Sequence, residues 1–147
     1  MSADPRASRG NGARQLARKL ALQSLYSWLL NARPWQDLIN EFDLAEEAPR
    51  TDRAFFDSLV RGVCEHIGEL DVELGGWTDR PAAELDPVEH AALLMGLHEL
   101  RTHPEVPFRV VISEAVNLTR RFGATDGHKF VNAVMDKAAR ATRPHEH

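Results

Sequence analysis

Apolar residues recur at steps of three to five along most of the chain, the spacing of helices with one buried face. Leu16, Leu20, Leu25, Trp28 and Leu29 set out a long amphipathic helix over about 14–31. Pro34 cannot continue it and turns Arg33 away from helical backbone. Trp35, Leu38, Ile39 and Phe42 mark a shorter second helix, and 46–51, with Pro49, reads as a loop. Thr51-Asp52 reads as a capped helix start. From there Phe55, Phe56, Leu59, Val60, Val63, Ile67, Leu70 and Leu74 run down one face to a stop at Gly75-Gly76.

The second half repeats this grammar. Pro81 permits a short helix. Asp86-Pro87-Val88-Glu89 places a capping carboxylate, a proline at the first helical position and an acid in the first turn. Val88, Ala91, Ala92, Met95 and Leu94 are its expected core face. Pro107 opens a helix through Val110, Val111, Ala115, Leu118 and Phe122, closed by Gly123. Asp126 is the expected cap of a last helix carrying Phe130, Val131, Val134, Met135 and Ala138, ended by Arg143-Pro144. No stretch alternates with period two between turns, so the pattern predicts an all-α bundle of about six or seven helices joined by short loops.

Composition narrows the class. A chain of 147 residues with 43% hydrophobic residues can bury a core. No apolar run approaches the roughly 18–20 residues of a membrane span, and the polar start MSADPRASRGNGAR lacks the apolar region of a secretory signal. The single Cys64 excludes an internal disulfide framework and points to a reducing, cytoplasmic setting. The net charge of −4 is unevenly spread. Residues 1–19 carry five basic side chains against one acidic, 20–105 carry 6 against 17, and 106–147 carry 7 against 4. An acidic body with basic ends suits local nucleic-acid contact more than general polyanion binding.

Few residues offer catalytic chemistry. His98-Glu99-Leu100-Arg101-Thr102-His103 resembles a zinc-protease helix, but its histidines are five residues apart where the motif needs four. On a helix that step leaves the rings about 140° apart, so no shared metal is expected, and both read as residues of a surface helix end. Cys64 reads as a small buried thiol, and Glu46-Glu47 as solvated loop charge. No phosphate-binding or nucleophile-elbow motif occurs. No cofactor is expected. The basic start of the first helix carries more. Arg14 and Arg18 share a face, with Gln15 and Lys19 beside them and Leu16 and Leu20 toward the core. Such a helix presents donors to phosphates, and Tyr26 further along offers a ring on which a base stacks.

Four blocks then fall in order: Arg14-Gln15-Leu16-Ala17-Arg18 leading into 21–28, Asp86-Pro87-Val88-Glu89-His90-Ala91, Val106 to Val116, and Arg121-Phe122-Gly123-Ala124-Thr125-Asp126-Gly127-His128-Lys129-Phe130 continuing to Lys137. Together they resemble the NusB family of bacterial transcription antitermination factors, over about 14–144. The resemblance implies an all-helical, non-enzymatic protein of two small helical subdomains, about 14–76 and 80–144, behind a flexible basic tail at 1–13. It implies binding of the boxA element of nascent RNA together with a small-subunit ribosomal protein (NusE), within the RNA polymerase antitermination complex that supports ribosomal RNA transcription.

By resemblance the RNA-binding residues are Arg14, Gln15, Arg18 and Lys19 on the first helix, with Tyr26 and Glu89. The partner-binding residues are Asp126, His128 and Lys129. The sequence departs from the family pattern where three consecutive arginines are usual. Here Arg14, Gln15 and Leu16 stand, with Arg6 and Arg9 upstream, while Ser113 and Ala133 replace an asparagine and a glycine. Two other readings remain open: an RNA-binding domain like that of a ribosomal RNA cytosine methyltransferase, and a helical module that binds protein alone.

Overall fold

The computed structural model describes residues 5–146, with side chains from residue 12 onward. They form seven α-helices: α1 Pro5–Leu30, α2 Trp35–Glu41, α3 Arg53–Glu65, α4 Ile67–Gly75, α5 Pro87–Thr102, α6 Phe108–Phe122 and α7 Gly127–Thr142. Single 3-10 turns fill the links, including Ala82–Glu84 where the sequence permits a short helix, and no strand occurs among the described residues.

The start signals act as the local chemistry predicts. The Asp86 carboxylate accepts from the backbone N–H of Val88 and Glu89, and Pro87 occupies the first position of α5. Asp52 accepts from the Phe55 N–H at 3.0 Å and caps α3.

Four expectations need correction. The first helix starts at Pro5 rather than near 14, using a proline where a first turn tolerates one. The expected tail over 1–13 therefore overlaps α1, and its residues 1–4 lie outside the described residues. The apolar run from 52 to 74 is two helices. His66 leaves helical backbone at φ −122° and ψ 22°. The buried stripe keeps its spacing across the break, so periodicity alone reads straight through it. Helix α5 buries every residue from Glu89 to Leu100 instead of one face. A helix packed on all sides is a core element, and α5 touches α1, α3, α4, α6 and α7. Asp126 precedes α7 but makes no side-chain cap. It sits at φ 67° and ψ 0°, a left-handed conformation that aspartate tolerates better than most residues.

The core joins Leu25, Phe56, Leu59 and Val60 of α1 and α3 to Leu93, Leu94 and Leu97 of α5 and Met135 of α7. One polar residue secures the far end of α5. Buried Arg143 donates to the carbonyls of Leu100 at 2.9 Å, His103 at 2.8 Å and Val106, and to the Glu146 carboxylate. It satisfies carbonyls that a helix C-terminus leaves without partners.

Candidate nucleic-acid and partner interface

The basic residues of α1 do not share one fate. Arg18, one turn after Arg14, is only 4% exposed. Its guanidinium grips Glu99 of α5 through two parallel hydrogen bonds, 3.0 and 2.6 Å long. A buried fork of this kind positions helices and does not reach phosphates. Arg18, which the resemblance places among the RNA-binding residues, is therefore held in the fold by Glu99 of α5, with only an edge left to the groove beside Arg14. Leu16 is only half-buried.

Arg14, Gln15 and Lys19 do reach solvent, each against a carboxylate. Arg14 lies 3.0 Å from Glu105 and 3.5 Å from Asp52, with its guanidinium over the Phe55 ring. The Gln15 amide donates to Glu114 at 3.1 Å, and Lys19 pairs with Glu47 at 2.7 Å. The Lys19 hydrogen bond holds the Glu47 carboxyl below its usual range. Burial alone would raise Glu105, but hydrogen bonds from His103, its own backbone and Arg14 outweigh it and hold the carboxyl at about 2. Arg14, Gln15, Glu105, Val110 and Glu114, with an edge of Arg18, line a groove of about 400 Å³ between α1 and the start of α6. The side chains of Arg6 and Arg9 lie outside the described residues.

A second surface gathers most of the remaining candidates. Tyr26 and Phe122 are 39% and 37% exposed, and both line an apolar groove of about 230 Å³ with Leu22, Gln23 and Val88. Glu89, next to Val88, is buried under the start of α7. A Cβ added at Gly127 would come within 3.1 Å of its carboxyl, so glycine lets the two helices close up. Burial, and then the Asp86 carboxylate, push the Glu89 carboxyl up from its ordinary value. Asp126 and Lys129 pair at 3.2 Å in solvent at the same helix start, and His128 beside them is half-buried. Tyr26, Glu89 and Asp126 thus belong to one neighbourhood, while Arg14 and Gln15 belong to another. Phe122, read from the sequence only as the end of its helix, is an exposed wall of the groove. Its place at the last position of α6, where a helix face runs out of partners, is the signal in the sequence that could have found it.

The histidines of the α5 end also depart from expectation. His98 is buried and His103 largely so. His103 ends α5 in non-helical backbone, φ −123° and ψ 68°, so its ring swings back and both rings meet the Ser58 hydroxyl, at 3.3 and 2.8 Å. The fixed 140° offset of a continued helix does not apply. Burial pushes His98 down to about 4. Cys64 is buried, and burial pushes its thiol up to about 12.

The arrangement and the sequence find the same relatives. A model of the NusB family matches residues 15–140. The chain belongs to the NusB family of transcription antitermination proteins. The transcription antitermination protein NusB of Idiomarina loihiensis is 44% identical over 132 residues, covering 90% of this chain and 95% of that one. The protein of the same name from Hahella chejuensis is 45% identical over 133 residues, covering 90% and 89%. A solved NusB from T. maritima superposes with a TM-score of 0.76 at 22% identity, covering 86% of this chain and 90% of that one, which shows the shared NusB fold. Among the described residues no helix is long and apolar enough to cross a membrane.

Proposed function

We propose that the chain acts in antitermination as a cytoplasmic adaptor. It holds boxA RNA on the α1 face and a small-subunit ribosomal protein (NusE) beside it, within the RNA polymerase antitermination complex. The observation that carries this reading is the groove between Tyr26 and Phe122. Two half-exposed aromatic rings around apolar Leu22 and Val88 form a surface suited to an apolar anchor or a stacked base. Val88 of the groove adjoins buried Glu89, which packs under Gly127 at the start of α7, next to the exposed Asp126–Lys129 pair. Arg14, Gln15 and Lys19 supply donors to phosphates once they leave their carboxylates. Arg18 supports that face from below.

The same reading makes the chain non-catalytic. Ser58, His103 and Glu105 form a hydrogen-bonded relay, with His103 Nδ1 at 3.0 Å from Glu105. Ser58, however, lies inside α3, where the neighbouring backbone N–H groups are spent on the helix. They are not free to stabilise an oxyanion, as acyl transfer requires. The relay fastens α3 to the end of α5.

The test is a fluorescence titration of boxA RNA with the chain alone, with the ribosomal protein, and with Tyr26→Ala. The expected result is tighter RNA binding in the ternary mixture, with Tyr26→Ala lowering affinity for RNA or partner about tenfold or more. Unchanged affinities for Tyr26→Ala throughout would overturn the placement, and no RNA binding in any mixture would overturn the function.

A further inference from the structure

The cations on α1 and those at the end of α6 differ in what already holds them. Arg14, Arg18 and Lys19 each sit against a carboxylate of another element. Arg120 and Arg121 do not. Among the described residues, Arg120 meets the Asn117 side-chain oxygen at 3.4 Å, and Arg121 meets the Phe122 ring, 4.9 Å from its guanidinium carbon. Both arginines are exposed. A phosphate reaching Arg14 must displace a carboxylate, whereas among the described residues Arg120 and Arg121 have a weak amide interaction and a ring contact to give up.

These two arginines line a concave site. A groove of about 390 Å³ runs between α1 and the last turns of α6, bounded by Gln15, Glu114, Asn117, Leu118, Arg120 and Arg121. Its mouth carries two guanidinium forks, which match phosphate geometry, and two side-chain amides. Gln15 and Glu114 also line the groove that holds Arg14, so the two depressions share a wall and form one path across α1 and α6. Two arginines in a last helical turn also suit the helix dipole, but the dipole does not account for the groove or for the amides facing them.

We propose that the end of α6, through Arg120 and Arg121, is a main phosphate-binding element for single-stranded RNA in this chain. In this arrangement it offsets the two arginines missing from the start of α1. The strand would run from Arg120 and Arg121 past Gln15 and Asn117 toward Arg14. Glu114 lies on that path with opposing charge and weakens the site. The inference rests on the RNA-binding reading above.

The test compares RNA affinity over a range of salt for wild type, the double variant R120A/R121A, E114Q, and K137A, an exposed cation on α7 outside the groove. Circular dichroism and partner affinity are measured alongside. The expected result is a loss of about tenfold or more for R120A/R121A, with native helicity and unchanged partner affinity. The slope of log K against log salt should fall by roughly 1.4, about 0.7 for each phosphate of a single strand that is no longer neutralised. E114Q should bind RNA several-fold more tightly, and K137A should keep the wild-type slope. If wild type binds RNA and R120A/R121A keeps its affinity and slope, this inference fails and the RNA-binding reading stands. A loss of partner affinity without loss of RNA affinity would also overturn it, by making the groove a protein surface. Absence of RNA binding by wild type, alone and with the ribosomal protein, would overturn both.

Discussion

Arg14 and Arg18 occupy the same stripe of α1 one turn apart, and the helix wheel treats them as equals. One is bound on the outside, by Glu105 and Asp52 and over Phe55. The other is locked inside by Glu99 on α5. The difference lies in the neighbour that each turn of α1 meets. Arg18 meets α5 through the Glu99 carboxylate, while Arg14 meets the Asp52 and Glu105 carboxylates that flank α3 and follow α5. A basic stripe is therefore not one surface. Its first turn stays at the surface, and its second is committed to the fold.

The sharpest way to break this comparison is to remove one partner from each pair. Glu99→Ala leaves Arg18 charged and buried without its acceptor, and such single removals cost about 3–5 kcal/mol. Glu105→Ala removes a carboxylate that is half exposed, and pairs of that kind contribute about 0.2–1 kcal/mol. Urea denaturation midpoints should fall strongly for Glu99→Ala and little for Glu105→Ala. Replacing both Arg18 and Glu99 by methionine should recover most of the loss, because the apolar pair has no desolvation to repay. Equal shifts for the two alanine variants would refute the division of α1 into a buried and a solvent-facing turn.

The histidines at the α5 end give the comparison a pH axis. His98 is lowered by burial to about 4 from an ordinary 6.5. The unfolded chain therefore takes up a proton that the folded chain refuses, and the stability due to neutral His98 is complete above pH 6.5. It is lost progressively as pH falls toward 4, by up to about 3 kcal/mol at 1.36 kcal/mol per unit. Glu105 is also lowered, to about 2 from 4.5, so its smaller, solvent-screened contribution is lost in the separate window from 4.5 to 2. Chemical denaturation between pH 7 and 4.5 should show the His98 loss, opposed in part by Glu89, whose raised carboxyl favours the folded state as pH falls. A His98→Gln variant should remove the His98 loss. A His98→Gln profile with the same slope as wild type from pH 7 to 4.5 would contradict the buried, neutral His98.

The sequence made the architecture readable and left the burial of charge unread, for a physical reason. Periodicity reports which residues of one helix share a face, and caps such as Asp52 and Asp86 report where helices begin, because both are local. Whether Arg18, Glu99, His98 or Arg143 is buried depends on which distant helix lies opposite. Gly62 illustrates this. A Cβ there would fall within the His98 ring, so the α3–α5 approach requires glycine, yet nothing near position 62 in the chain announces it. The break at His66 and the all-round burial of α5 were hidden in the same way. At the candidate interface, the family motif led to Tyr26, Glu89 and Asp126. The exposed Phe122 and the carboxylates that occupy Arg14, Gln15 and Lys19 emerged only from tertiary structure.

The smallest effect separates two aspartates that the sequence reads alike. Asp86 and Asp126 each precede a helix, but only Asp86 accepts backbone hydrogen bonds at its helix start. Asp86→Ala should therefore cost about 1 kcal/mol, the usual loss on removing such a cap. Asp126 holds left-handed backbone and an exposed ion pair with Lys129. Asparagine is as comfortable as aspartate in that backbone, and an exposed pair contributes little. Asp126→Asn should leave the unfolding free energy within about ±0.5 kcal/mol of wild type. Because its stability is preserved, a change in its affinity for the ribosomal protein, measured by calorimetry, would report lost recognition and not a loosened α7. Destabilisation of Asp126→Asn as large as that of Asp86→Ala would show that Asp126 caps α7 after all.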